Sequence, residues 1–151
     1  MSTLANKLLQ SDDIYIDEED NKGMTALLIA CYNKQESIAL SILEFRDINY
    51  NQVNLYGDTA LKIACRNNLE KVALKLLDFD YLNYNCANEG GVSALILACE
   101  RKIKSVALKL LEKKDINYNQ KDSDGYTPLI LACENKIESV ALKLLEKKNK
   151  L

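Results

Sequence analysis

The sequence predicts a mainly α protein, a solenoid of helix-turn-helix units from which β-turn fingers project. Three observations lead there. The chain repeats every 34 residues: Gly23, Gly57, Gly91 and Gly125 keep that step, and so do the pairs Ala30-Cys31, Ala64-Cys65, Ala98-Cys99 and Ala132-Cys133. A fixed period of this size marks stacked small units, none of which buries its apolar side alone. Within a period, Ile103, Val106, Ala107, Leu110 and Leu111 fall at i, i+3, i+4, i+7 and i+8, one helical stripe. An Asx-x-x-Gly step punctuates every period, at Asp20–Gly23, Asn54–Gly57, Asn88–Gly91 and Asp122–Gly125.

The elements follow in order within each unit. At the Asx-x-x-Gly step the Asx side chain can bond the backbone two residues on, and glycine accepts positive φ. Thr25, Thr59, Ser93 and Thr127 come next and read as helix N-caps, their hydroxyls accepting from a free N–H of the first turn. The following position is Ala26, Ala60, Ala94 or Pro128, and proline suits the first helical residue. A short helix runs to about Tyr32, Arg66, Glu100 and Glu134. Asn33, Asn67 and Asn135 follow it, where asparagine is expected in the left-handed conformation that ends a helix; Arg101 breaks the pattern. A second, longer helix carries the apolar stripe, with Lys113, Lys114, Lys147 and Lys148 at its C-terminal end, where the helix dipole favours cations. The alternating stretch Asp-Ile-Asn-Tyr-Asn, at Asp47–Asn51 and Asp115–Asn119, reads as an extended finger. Tyr50, Tyr84 and Tyr118 are expected to pack along it.

The expected organisation is one domain over residues 1–151: a capping half-unit at 1–20, then units at 21–54, 55–88, 89–122 and 123–151. Leu4, Ala5, Leu8 and Leu9 lie one period before Ile38, Ala39, Ile42 and Leu43, so residues 4–10 should form a lone second helix. Leu40, Leu74, Leu108 and Leu142 align with Asn6; the leucine is expected to pack backward on the preceding unit, and Asn6 to mark a cap. The last unit keeps Val140, Ala141, Leu142, Leu144 and Leu145. Its forward face is therefore expected to lie uncovered, through truncation of a longer array, end-to-end self-association or fraying.

Composition excludes several classes. The net charge of −2 draws no nucleic acid. No apolar run approaches the length of a membrane span. With no histidine in the chain, there is no His general base, Ser-His or Cys-His pair, or His metal site. No phosphate-binding glycine loop is present, and Asp17-Glu18-Glu19-Asp20 lacks the spacing of a calcium loop. The expectation is no enzyme activity, no cofactor and no metal. Four of the five cysteines occupy one register and should be buried, small and apolar, too far apart to pair. Reduced thiols fit an intracellular, cytoplasmic or nuclear setting. The abundance of Asn, Lys and Ile fits an AT-rich genome, as of a virus, protist or intracellular bacterium.

The residues resemble the ankyrin repeat. Thr127-Pro128-Leu129-Ile130-Leu131-Ala132-Cys133 matches the opening of that motif; Leu110-Leu111 and Asp115-Ile116-Asn117 match its later features. The resemblance covers essentially the whole chain in four copies. It implies L-shaped units, two antiparallel helices with a finger at right angles, stacked into a slightly curved array whose inner surface binds proteins. The family's histidine is replaced by Leu28, Lys62, Ile96 and Ile130, which puts one tie between fingers in doubt. The glycine between the helices is replaced near Lys34, Asn68, Lys102 and Lys136. The fingers look longer than the family's and should be looser.

The implied function is non-catalytic binding of a partner protein through the concave face. Positions that vary between units there are the candidate contacts: Lys22, Met24, Tyr32, Tyr56, Asp58, Arg66, Val92, Glu100, Asp124, Tyr126 and Glu134. Tyr, Met and Arg are common interface anchors. The alternatives are an inhibitor or regulator of a partner enzyme such as a kinase, and a structural segment of a longer array. No nucleic acid or membrane partner is expected.

Overall fold

A computed structural model describes residues 14–150. Four units follow one another, each a finger turn and two antiparallel helices: α1 (Ala26–Tyr32) and α2 (Glu36–Ile42), α3 (Ala60–Arg66) and α4 (Glu70–Leu76), α5 (Ala94–Glu100) and α6 (Lys104–Leu111), α7 (Pro128–Glu134) and α8 (Glu138–Asn149). First helices stack on first helices and second on second. Among the described residues there is no strand. The expected helix at residues 4–10, with Asn6, lies outside the described residues.

The predicted caps form. The hydroxyls of Thr25, Thr59, Ser93 and Thr127 accept from the amides of Leu28, Lys62, Ile96 and Ile130 at 3.4, 3.3, 3.3 and 3.2 Å. Each such cap stabilises its helix by about 1 kcal/mol. Pro128 sits at the start of α7. The Asx turns form as well. Asp122 Oδ1 accepts from the amides of Asp124 and Tyr126 at 3.0 and 2.8 Å, and Asn54 Oδ1 accepts from those of Tyr56 and Asp58 at 2.9 and 3.0 Å. Gly91 has φ +73°, and a Cβ there would collide with the Lys121 carbonyl oxygen of the next finger. Two constraints thus require glycine at that position.

The left-handed residue falls one position later than expected. Asn33, Asn67 and Asn135 have φ near −90°, at −83, −96 and −84°. Lys34, Asn68, Lys102 and Lys136 take φ of 57 to 60° instead. The hydrogen bonds explain it. Gln35 N–H reaches Ala30 O at 2.8 Å and Lys34 N–H reaches Cys31 O at 3.2 Å, and the other units repeat both. These are the paired bonds of a Schellman ending, whose left-handed residue is the second after the helix. Where the family has glycine, this chain holds Lys or Asn in a conformation that costs about 1 kcal/mol. Burial of Leu69, Ile103 and Ile137, the next residues, supplies the accompanying apolar contact.

The asparagines have another task. Asn67 Nδ2 donates to Cys31 O and Tyr32 O at 3.0 and 3.2 Å, and Asn135 Nδ2 to Cys99 O and Glu100 O at 3.0 and 3.4 Å. Each amide fastens its unit to the open helix end of the unit before. Arg101 interrupts this series.

The second helix is not regularly the longer. α2 and α4 have seven residues, equal to the first helices, α6 has eight and α8 twelve. In the first three units a turn cuts the helix short so that Ile48, Leu82 and Ile116 can bury their side chains. The Asp-Ile-Asn-Tyr-Asn stretch is therefore a pair of turns rather than an extended strand. Nor do the fingers hang free of one another. Asn83 N–H donates to Asn51 Oδ1 at 2.7 Å, Asn51 Nδ2 donates to Tyr81 O at 2.8 Å, and Asn85 repeats both bonds with Asn117 and Asp115. The Asp17 carboxylate receives the Asn49 amide in the same register. Tyr50 stacks on Phe79 of the next unit at 4.4 Å between centroids, while Lys113 and Lys147 lie over Tyr84 and Tyr118. The tyrosines thus link units through the ends of second helices, not through each other.

The Ala-Cys pairs line the spine. Ala30, Ala64, Ala98 and Ala132 are buried, as are Cys31, Cys65 and Cys99. Cys133 is exposed, against expectation, because its register faces forward and nothing among the described residues follows it. The same logic corrects Leu142. Leu40, Leu74 and Leu108 are half-buried and Leu142 is 53% exposed. A backward-facing leucine would be covered by α6, so this register faces forward and outward. Burial pushes the Cys31, Cys65 and Cys99 thiols up to about 12. A thiol reagent should therefore modify Cys133 and the half-buried Cys86 in the folded protein, and reach the other three only on unfolding. Peptide mass mapping over time checks this order.

Candidate functional site

Most of the candidate residues gather into two cavities. Lys22, Met24, Tyr32, Tyr56, Asp58 and Arg66 line one of about 440 Å³ between the first and second units, together with Asp20, Ile29, Asn54 and Ile63. Glu100, Asp124, Tyr126 and Glu134 line a second of about 370 Å³ between the third and fourth units, with Asp122 and the apolar Ile96 and Leu131. Val92 lines neither; it is half-buried against the core. A further hollow of about 660 Å³ lies between the finger tips of the second and third units. It includes Leu55, 75% exposed, an apolar tip that sequence reasoning passed over.

The first cavity is built on a charge cluster that only the second unit possesses. Asp58 is buried. Its Oδ2 and Oδ1 accept from Arg66 Nη1 and Nη2 at 2.6 and 3.0 Å, a two-pronged bond. Lys62 is 1% exposed and occupies the register of Leu28 and Ile96. Its Nζ lies 3.2 Å from Asp58 Oδ1 and donates to Gly57 O at 2.7 Å. In this one unit the residue at the histidine register, Lys62, ties its helix to its own finger rather than one finger to another.

The protonation behaviour follows from this geometry. Burial alone would push the Asp58 carboxyl up; the hydrogen bonds and charges of Arg66 and Lys62 outweigh it and hold the carboxyl below its usual range. Burial lowers the Lys62 ammonium, against the pull of Asp58. The hydrogen bonds to Asp58 raise Arg66 further. Backbone amides of Met24 and Lys22 lower Asp20. Asp58 is therefore a support for Arg66 and not a free surface charge.

Sequence inspection marked Asp58 and Arg66 as separate variable positions and Lys62 only as a lost histidine. Their spacing of i, i+4 and i+8 was the available signal, since it sets three charges along one helix face and the turn before it. Ile29 and Ile63, which form apolar wall of the cavity, were not among the candidate residues.

Chemically, the two cavities offer apolar and aromatic wall and fixed charges. Among the described residues no three Cys, Asp or Glu side chains converge as a metal site, and no helix is long and apolar enough to cross a membrane. Helix pairs stacked in one direction, with a groove along the fingers and first helices, define a linear repeat scaffold of the kind that mediates protein–protein interaction. The family model for ankyrin repeats (3 copies) matches residues 1–86 and again residues 75–151. The chain belongs to the ankyrin repeat family, which is generally non-catalytic. No curated protein matches it.

Removing Asp58 strands Lys62 in the interior, whereas removing Lys62 leaves the Asp58–Arg66 pair intact. Asp58→Ala should cost about 3 kcal/mol, the low end for breaking a buried pair because Lys62 keeps Gly57 O; Lys62→Met should change stability by less than about 1 kcal/mol. A group with depressed folded pKa stabilises above its unfolded value and loses that effect as pH falls through the folded one. The gap between wild type and Asp58→Ala should therefore close below about pH 4. Urea unfolding across pH measures both.

Proposed function

We propose that this protein binds a partner protein along its concave face, with the cavity between the first and second units as the anchor. The observation that carries this is the pairing of Tyr32 and Tyr56, 67% and 63% exposed, around a pocket walled by Met24, Ile29 and Ile63 with Arg66 locked in place. Exposed aromatics beside a fixed guanidinium give contact area at low entropic cost, which is what interface hot spots share.

The groove is also polar along its length. In the first cavity Arg66 and Lys62 engage the Asp58 carboxylate, and Lys22 and Arg66 place positive charge in the lining beside Asp20. In the second, Glu100, Asp122, Asp124 and Glu134 stand without a basic residue in the lining. A partner segment would thus lie with an acidic or acceptor-rich part by the first cavity and a basic part by the second, an arrangement that fixes orientation more than it adds affinity.

The test is affinity capture from cell lysate with three forms of the protein. Wild type and Tyr81→Ala, an exposed tyrosine that lines neither cavity, should recover the same partner. Tyr32→Ala/Tyr56→Ala should lose it by at least roughly tenfold, the loss of about 1.4 kcal/mol or more expected of an anchor, while keeping its helical circular dichroism. Undiminished recovery by the double variant would remove this face from the account.

A further inference from the structure

Each junction inside the stack is one interface built three times. The forward half comes from registers such as Ile96 and Leu111, buried wherever a unit follows; the backward half comes from Ala60, Val72 and their equivalents, buried wherever a first helix precedes. At the two ends of the described stack these halves stand open. In the fourth unit Ile130, Leu142 and Leu145 are exposed, as is Cys133. In the first unit Ala26, Ile29 and Ile38 are exposed, while their counterparts in later units are buried.

We propose that two copies of this chain associate head to tail, the forward face of the fourth unit in one seating on the backward face of the first unit in the next. The internal junctions supply the template, and the polar residues at the ends fit it. Asn67 and Asn135 each tie to the helix end of the unit before. Asn33, in the same register, is exposed and placed to donate to Cys133 O of another copy. The Ser105 hydroxyl bonds the Glu70 carboxylate across a junction. Ser37 holds the register of Ser105 and Glu138 that of Glu70, so docking would rebuild the bond between copies. At longer range, Lys143, Lys147 and Lys148 mark one end and Asp17, Glu18, Glu19 and Asp20 the other, which steers unlike ends together.

Because the two faces differ, the contact is heterologous and does not stop at two copies. It uses the ends of the array and is independent of the concave groove.

Light scattering on the purified full chain tests it. The weight-average mass should rise from 17.0 kDa with concentration without levelling at a dimer. Leu142→Glu/Leu145→Glu, on the forward face, and Ile38→Glu, on the backward face, should each be monomeric, folded by circular dichroism. Mixed one to one, they should form a dimer and nothing larger, since each retains the face the other lost. A wild type that stays monomeric up to millimolar concentration overturns the proposal. So does an Ile38→Glu variant that dimerises alone, which would mean that forward faces pair with each other. A mixture that remains monomeric overturns it as well.

Discussion

The contact between successive units is the constraint on which this structure depends. A seven-residue helix buries too little to hold itself, and isolated helices of that length do not persist in water. What fixes them is the neighbour. Cys65 and Val72 reach essentially zero exposure because a unit follows the one and a first helix precedes the other, whereas Cys133 and Ile38, their equivalents in the fourth and first units, are exposed. Polar ties keep the register of this apolar seam: Asn67 to Cys31 and Tyr32, and Asn51 to Tyr81 and Asn83. These bonds satisfy helix-end carbonyls and finger amides that would otherwise lose their partners on burial. Apolar area supplies the drive and asparagine sets the alignment.

Much of this was legible in the sequence because it is local. A cap hydroxyl or an Asx turn needs only a few residues of context, and Thr59, Ser93, Asn54 and Asp122 all behave as read. The left-handed residue was misplaced by one because composition favoured asparagine, while the backbone bonds of the Schellman ending assign the conformation to Lys34, Asn68, Lys102 and Lys136. Which way a repeated side chain faces was not legible from the period alone. Leu142 and Cys133 were assigned from their equivalents, and forward registers separate from backward ones only at the fourth unit, which no described unit follows.

The site shows the same division. Variation between units drew attention to Tyr32, Tyr56 and Arg66, which share one cavity. It did not separate Asp58, engaged in holding Arg66, from residues that present their charge outward. Nor did it value Lys62, whose ammonium finds its partners through the fold of finger onto helix. A regular scaffold thus carries one irregular, costly cluster, set beside a cavity lined by Tyr32 and Tyr56. That coincidence of structural expense with exposed anchors is why the first and second units, rather than the array as a whole, dominate the functional reading.

Native-state hydrogen exchange, resolved by residue on dilute monomeric protein, tests the dependence on neighbours most directly. If stability is a sum of unit and nearest-neighbour contributions, amides in α3 to α6 should be the slowest, with protection falling through α1 and α2 at one end and α7 and α8 at the other. Equal protection in all four units, or greater protection in the terminal ones, would contradict the account.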